Sequence, residues 1–282
     1  MVVKKLVVAS LLVGCALCIT GSVQASDSNS MSSTVSFNLS EPGFHGVTSA
    51  VRQDRHLQIV PSGVGRKQQH VMTPRFCAAI ASVECIGSPD MKVKVHPEPT
   101  QWRFEWNTVF PEDGELLVKF DTAPILLSEQ QSIKPASDGS IFLSACEART
   151  GGDKLRFEPQ PYKNTVGFWT NEADTAMWEC HVDVSGWYSV ALLQGCGEGQ
   201  GGSEGRISFV KDGQECDAID CAVKETGHFQ NFRWVHSGYV YLEIMGNYTV
   251  TIQPSSIKQK AFGDIRAVSI VQQQKGIAEG NQ

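Results

Sequence analysis

The chain is 282 residues long, with 24 basic against 30 acidic side chains, 41% hydrophobic and 19% charged residues and a net charge of −6. That balance excludes a binder of nucleic-acid backbones, which needs clustered positive charge. Past residue 21 no apolar run reaches the ~20 residues a membrane-spanning helix requires, and the length suffices for one large domain or two smaller ones.

The N-terminus reads as a secretory leader: Lys4-Lys5, an apolar stretch from Leu6 to Ile19, then small residues ending at Ala25. Cleavage there starts the mature chain at Ser26, opens it with a Ser-rich spacer over 26–34, and shifts the net charge from −6 to −8 because Lys4 and Lys5 are lost. Leu12-Val13-Gly14-Cys15 resembles a bacterial lipobox, so a lipoprotein anchored at Cys15 is the alternative. The expected location is secreted, periplasmic or cell envelope. Seven cysteines remain in the mature chain: Cys77, Cys85, Cys146, Cys180, Cys196, Cys216 and Cys221. Export permits disulfides, and Cys77/Cys85 and Cys216/Cys221 are spaced to close short loops, although spacing leaves the pairing open. Without CxxC spacing or a His cluster, zinc is not expected.

Residues 35–130 predict a small, Ig-like β domain. Phe76 to Ile86 is its one candidate helix. Met91 to Val95 and Trp102 to Trp106 alternate as strands, the latter with its aromatics inward. The Pro111-Glu112-Asp113-Gly114 break leads into Leu116 to Phe120, which reads as the second arm of a hairpin. Residues 131–139 are turn-rich and serve as a linker. From 140 to 272 strand follows strand. Trp178, Cys180, Val182 and Val184 share a face; after the Ser185-Gly186 turn come Tyr188, Val190 and Leu192; then Ile207/Phe209, Val240/Leu242/Ile244, Tyr248/Val250/Ile252 and Ala267 to Val271. Residues 273–282 form a tail. The fold class is all-β, a C-terminal sandwich behind a smaller β domain, which excludes helical and Rossmann-type folds.

Several strings in order carry a resemblance: Leu155 to Thr170, Asp174 to Trp178, Gly195 to Ser203, Thr226 to Phe232, Tyr248 to Ile252 and Asp264-Ile265-Arg266. Over about residues 140–271 they resemble the jelly-roll, carbohydrate-binding-module-like domain appended to secreted bacterial sulfatases and alpha-L-fucosidases. The N-terminal half shows no comparable likeness. The resemblance implies a sugar-binding accessory module. The chain has no Cys/Ser-x-Pro-x-Arg nucleophile string and no length for a fucosidase barrel. Such modules often hold a structural calcium between first and last strands, and Glu147 and Asp264 stand at positions resembling its ligands, hard oxygens suited to Ca²⁺. Their alternative is a carboxylate paired with Arg266 or capping a turn. No cofactor is otherwise required.

Sugar recognition needs a flat apolar surface with hydrogen-bonding groups beside it. Trp169 ends a strand beside Thr170-Asn171-Glu172 and is either a loop-edge platform or a buried sandwich tryptophan. Trp187 and Trp234 are candidate exposed aromatics, and Trp178 belongs to the core. In Thr226 to Phe232, alternation sends His228 and Gln230 to one side, with Asn231 beside them. The Gly-rich loop from Gly195 to Gly205 carries Glu198 and Gln200 and lacks a phosphate-loop pattern. These residues predict an exported, non-catalytic protein whose partner is a glycan or polysaccharide. The rivals are a cell-envelope module that binds another protein or a separate glycan-processing enzyme, and a hydrolase built on two carboxylates or a His beside a nucleophile.

Overall fold

The structure, a computed structural model, describes residues 34–273. The leader, Cys15, the spacer up to Ser33 and the tail from Gln274 lie outside the described residues.

The N-terminal half runs β1 (Thr34–Ser36), β2 (Val47–Gln53), β3 (His56–Pro61), α1 (Gly63–Gln68), β4 (His70–Pro74), β5 (Ile80–Ile86), β6 (Lys94–Pro97), β7 (Gln101–Glu105) and β8 (Glu115–Phe120). It builds an antiparallel sheet in the order β1-β2-β3-β8-β5 and a second one in the order β4-β7-β6. Alternation decides which side chains turn inward: Leu116, Val118 and Phe120 from β8, Trp102 and Phe104 from β7. Phe76, Trp102 and Phe120 meet with ring centroids 5.9–6.2 Å apart.

Three expectations change here. The segment Phe76 to Ile86 is not a helix. Its amides are claimed by distant partners, Cys77 N–H by Ile125 O and Ala79 N–H by Asp121 Oδ1, and from Ile80 it pairs with β8. The helix is α1, capped by Ser62, whose hydroxyl accepts from Gly65 N–H, and ended by Gln69 in a left-handed conformation. The strands holding Trp102 and Leu116 do not form a hairpin, because β7 pairs with β4 and β6 while β8 pairs with β3 and β5. The segment through Pro111 to Gly114 therefore passes from one sheet to the other. The strand expected from Met91 starts only at Lys94.

The C-terminal half adds β9 (Ile141–Ser144), β10 (Arg149–Gly151), β11 (Arg156–Glu158), β12 (Thr165–Gly167), β13 (Thr175–Val182), β14 (Gly186–Gly195), β15 (Glu204–Lys211), β16 (Gln214–Ala222), β17 (Arg233–Leu242), β18 (Gly246–Ser256) and β19 (Asp264–Gln272). One sheet has the order β10-β13-β18-β15-β16, the other β11-β12-β19-β14-β17, with β9 also on β19. Trp178, Cys180, Val182, Phe209, Tyr248, Val250 and Ile252 from the first sheet are buried with Tyr188, Val190, Leu192, Val240, Leu242, Val268 and Ile270 from the second. This is the jelly-roll-like sandwich expected from the alternating runs.

Val184 and Ile244, expected to face inward, are exposed in turns after β13 and β17. The reason is a device used twice. Tyr188 O–H donates to the Val184 carbonyl, and Tyr248 O–H donates to the Ile244 carbonyl at 2.7 Å. Both rings are buried, so each hydroxyl bonds the turn four residues upstream, as in a tyrosine corner.

The halves share one apolar core. The Trp102 and Phe157 rings lie 6.3 Å apart, and Ile80 N–H donates to Pro159 O at 2.8 Å. Arg75, fully buried, reaches from the N-terminal half to the carbonyls of Ala148 (2.6 Å), Cys146 (2.8 Å) and Ala145 (3.4 Å). Burial lowers its pKa to about 10, so it stays charged at neutral pH. Ile133, in the expected linker, bridges Cys180 on the edge of β13.

All seven described cysteines are free thiols. Cys216 and Cys221 stand five positions apart on β16, which puts them on opposite faces: Cys216 is exposed and Cys221 buried. Cys77 and Cys85 are buried thiols as well, and burial raises Cys77 to about 12.

Replacing either corner tyrosine tests the fold. Tyr188→Phe and Tyr248→Phe keep the ring and remove one hydrogen bond, so each is expected to cost about 1 kcal/mol in urea denaturation. A change within error for both would show that the corners hold nothing.

Candidate functional site

Across the outer face of the sheet containing β14, β17 and β19, residues paired in register share a side. Trp187 lies opposite Tyr241; Ser189 lies opposite Tyr239 and Val271; Ala191 lies opposite His236 and Ser269; Leu193 lies opposite Trp234 and Ala267. Ser269 pairs in turn with Phe142 of β9. Five of these are large apolar side chains left open to water: Trp187 (37% exposed), Tyr241 (44%), Trp234 (49%), Phe142 (54%) and Val271 (40%).

The aromatics gather at the two ends of this face. Trp187 and Tyr241 pack at 5.3 Å at one end; Trp234 and Phe142, reaching toward each other across β19 and β14, meet edge-on at 6.2 Å at the other. Between the ends lie Val271 and small or polar groups, with the His236 ring 4.9 Å from Tyr239 and Ser189 Oγ accepting from Gln273 Nε2 at 3.0 Å. The two end rows are six residues apart on β14, roughly 20 Å at ~3.4 Å per residue. No carboxylate stands in the four rows, although the chain as a whole is acidic.

A bulge makes this one face. Val190 pairs with Gly238 and Ala191 with His236, so Ser237 is the extra residue on β17. Strict alternation would set Trp234 and His236 on the side opposite Tyr239 and Tyr241; the extra residue returns all four to the same side. Gly238 has φ +153°, and a Cβ there would lie 3.4 Å from Ile219.

Of the sequence candidates, Trp187 and Trp234 belong to this face. Trp169 does not: it is fully buried, its indole N–H donates to Asp174 O at 3.1 Å, and it packs on Phe262 at 5.1 Å, so it offers no surface to a ligand. Glu198, Gln200, His228, Gln230 and Asn231 gather at the opposite end of β14, where Gly197 bridges Gly227. Most of them hold the loop itself. His228 Nδ1 accepts from Gln230 N–H at 3.2 Å, Asn231 Nδ2 donates to Thr226 O, and Gln200 Oε1 accepts from Lys260 N–H at 3.3 Å. Thr226 Oγ1 takes Cys196 N–H at 2.8 Å. Gly195 is required beneath them, since a Cβ would lie 1.9 Å from Phe229 O.

Glu147 and Asp264, the expected calcium ligands, each have other partners in the structure. The Glu147 carboxylate closes a capping box, accepting Ser144 N–H at 3.2 Å. Asp264 instead lies with Glu158 over Gly167, both carboxylates within 2.9 Å of where a Gly167 Cβ would stand. Glu158 is held by Lys163 Nζ at 2.5 Å. Among the described residues, no group of three or more His, Cys, Asp or Glu is placed to hold a metal. Burial, with Glu158 adding to it, pushes Asp264 up to about 7.

No protein-family model and no curated protein matches the chain. Among solved structures it is similar to the alpha-L-fucosidase from Vibrio sp. strain EJY3, at 11% identity and TM-score 0.33, over 80% of this chain and 40% of that one. It is also similar to the CBM35 from Cellvibrio japonicus Abf62, at 14% identity and TM-score 0.37, over 48% of this chain and 94% of that one. The C-terminal CBM6 of LamC, a marine laminarinase from Zobellia galactanivorans, gives 17% identity and TM-score 0.39, over 47% and 99%. The chain thus spans 40% of the fucosidase's length. The β architecture stands on the strand pairing described above, independently of these likenesses.

Phe142, Tyr239, Tyr241 and His236 escaped the sequence reading. The signal was present as the complement of the inward run Val240/Leu242, but the phase shift at Ser237 leaves no trace in residue spacing.

The carboxyl pair sets a pH dependence. Asp264 binds its proton more tightly folded than unfolded, so between about pH 4 and 7 the folded state carries more protons and stability falls as pH rises. Asp264→Asn is expected to flatten that segment of the stability–pH curve and to be relatively most stabilising above pH 7. An unchanged slope would show that Asp264 ionises normally.

Proposed function

We propose that this chain is an exported protein that binds glycan without transforming it, and that the ligand lies on the outer face of the β14/β17/β19 sheet. The carrying observation is the set of exposed aromatics on one register-matched face, Trp187 and Tyr241 at one end, Trp234 and Phe142 at the other. Exposed apolar patches of this kind mark interaction sites. Aromatic rings offer an apolar surface to the C–H face of a sugar ring, while Ser189, Tyr239, His236 and Ser269 supply hydrogen bonds to hydroxyls. The Lys4-Lys5 start and the apolar run to Ile19 support export. Binding without chemistry is supported by the surroundings of Glu158 and Asp264: this close carboxylate pair is buried against Gly167 and Lys163.

The test is retention of the mature chain by a panel of soluble and insoluble polysaccharides, α- and β-linked, neutral and acidic, in pull-down and affinity electrophoresis. Trp234→Ala and Trp187→Ala are each expected to weaken binding by tenfold or more, about 1.4 kcal/mol, whereas His228→Ala in the loop cluster leaves it unchanged. Retention by no polysaccharide would transfer the face to a protein partner of the cell envelope. Loss with His228→Ala but not with either tryptophan variant would move the site to the loop end.

A further inference from the structure

Resting on the glycan reading above, we infer that the ligand is an uncharged, linear polysaccharide of flat, ribbon-like linkage, lying along the face so that it reaches both aromatic pairs. Four observations define it.

The aromatic pairs at the two ends of the face are roughly 20 Å apart, a span that a mono- or disaccharide does not bridge. A short sugar on one pair leaves the other unused, so binding energy grows only when one chain reaches both. That is the effective-concentration gain of two linked contacts.

The middle of the face is low. Ala191 pairs with Ser269, with Ser189 two residues away on β14, and these small side chains set a shallow floor along the central strands, flanked by Tyr239 and His236 on β17 and by Val271. A flat ribbon lies along such a floor and meets ring faces at both ends, whereas a helically coiled chain curves away from one of them.

One end is open. Trp187 follows directly on the exposed Ser185 turn, so a chain passes beyond it into solvent. At the Trp234 end Phe229 and Phe232 pack over Gly195, the next outward position on β14 after Leu193, and close the face there.

The rows carry no carboxylate, lysine or arginine, so a uronate or sulfate would find no counter-charge on them. The basic side chains nearest this sheet are engaged elsewhere: Arg156 of β11 stacks over Phe168 at 3.3 Å, and Arg266, the bulge residue of β19, stacks over Phe232 at 3.7 Å. Arg266 is further tied to the carbonyls of Tyr162 and Lys163.

The experiment is calorimetric titration of the mature chain with cello-, manno- and xylo-oligosaccharides of two to six units, with maltohexaose as the coiled, α-linked comparison. In at least one β-linked series the dissociation constant is expected to fall tenfold or more between two and six units. Maltohexaose is expected to bind at least tenfold more weakly than the best β-linked hexamer. Trp187→Ala and Trp234→Ala should each abolish the length dependence while leaving weak binding of short oligomers, a pattern that global unfolding does not give. A disaccharide binding as tightly as its hexamer, or a preference for maltohexaose, overturns the inference and spares the glycan reading. Failure of all three β-linked series to bind also overturns it. The polysaccharide panel then decides separately whether the chain binds glycan at all.

Discussion

One extra residue governs what this protein shows to solvent. Through β17 the backbone alternates until Ser237, which has no partner on β14, and the strand then resumes in opposite phase. A one-residue shift exchanges the faces of every side chain beyond it. Here the exchange collects Trp234 and His236 with Tyr239 and Tyr241 while Val240 and Leu242 still point into the core. Gly238 makes the bulge affordable, with its φ of +153° and Ile219 of β16 packed against its open side.

The rest of the sandwich keeps that sheet still. Tyr188 and Tyr248 pin the turns that precede β14 and β18, and Trp187 is the residue immediately before one of those anchors. A second bulge, at Arg266 on β19, sends the guanidinium out to the Phe232 ring and the 162–163 carbonyls and leaves Ala267, Val268 and Ile270 seated. On the other flank Arg75 crosses from the N-terminal half to three carbonyls around Cys146, a buried charge satisfied by backbone acceptors. With β14 and β19 paired on both sides and the turns before β14 and β18 anchored, the face is held in one geometry before any partner arrives, which reduces the ordering cost of association.

The sequence was legible where period two and burial agree. Trp178, Cys180 and Val182 of β13, Tyr188 to Leu192 of β14 and Tyr248 to Ile252 of β18 all face inward, because both sides of each strand are unambiguous. It was illegible where long-range pairing overrides local pattern. Phe76 to Ile86 has the alanines of a helix, yet its amides bond to Ile125 and Asp121, more than 40 positions away in the chain. Trp102 and Leu116 read as two arms of a hairpin but belong to different sheets. For the site, a tryptophan at a strand end carries no information about its side: Trp169 turns in beneath Phe262, while Trp187, equally close to a turn, faces out. The polar run from Thr226 to Asn231 looked like a ligand cluster because the side chains that hold a glycine-rich loop are the same types that hold a sugar.

The six tryptophans offer a direct test of where ligand lies, because each indole N–H gives its own nuclear magnetic resonance signal. Titration of the nitrogen-15-labelled mature chain with a β-linked hexasaccharide should shift the Trp187 and Trp234 indole resonances together, saturating with one dissociation constant, while those of Trp102, Trp169 and Trp178 stay in place. Movement of the Trp169 signal with Trp187 and Trp234 unchanged would contradict the account and place the ligand at the loop end of the sandwich.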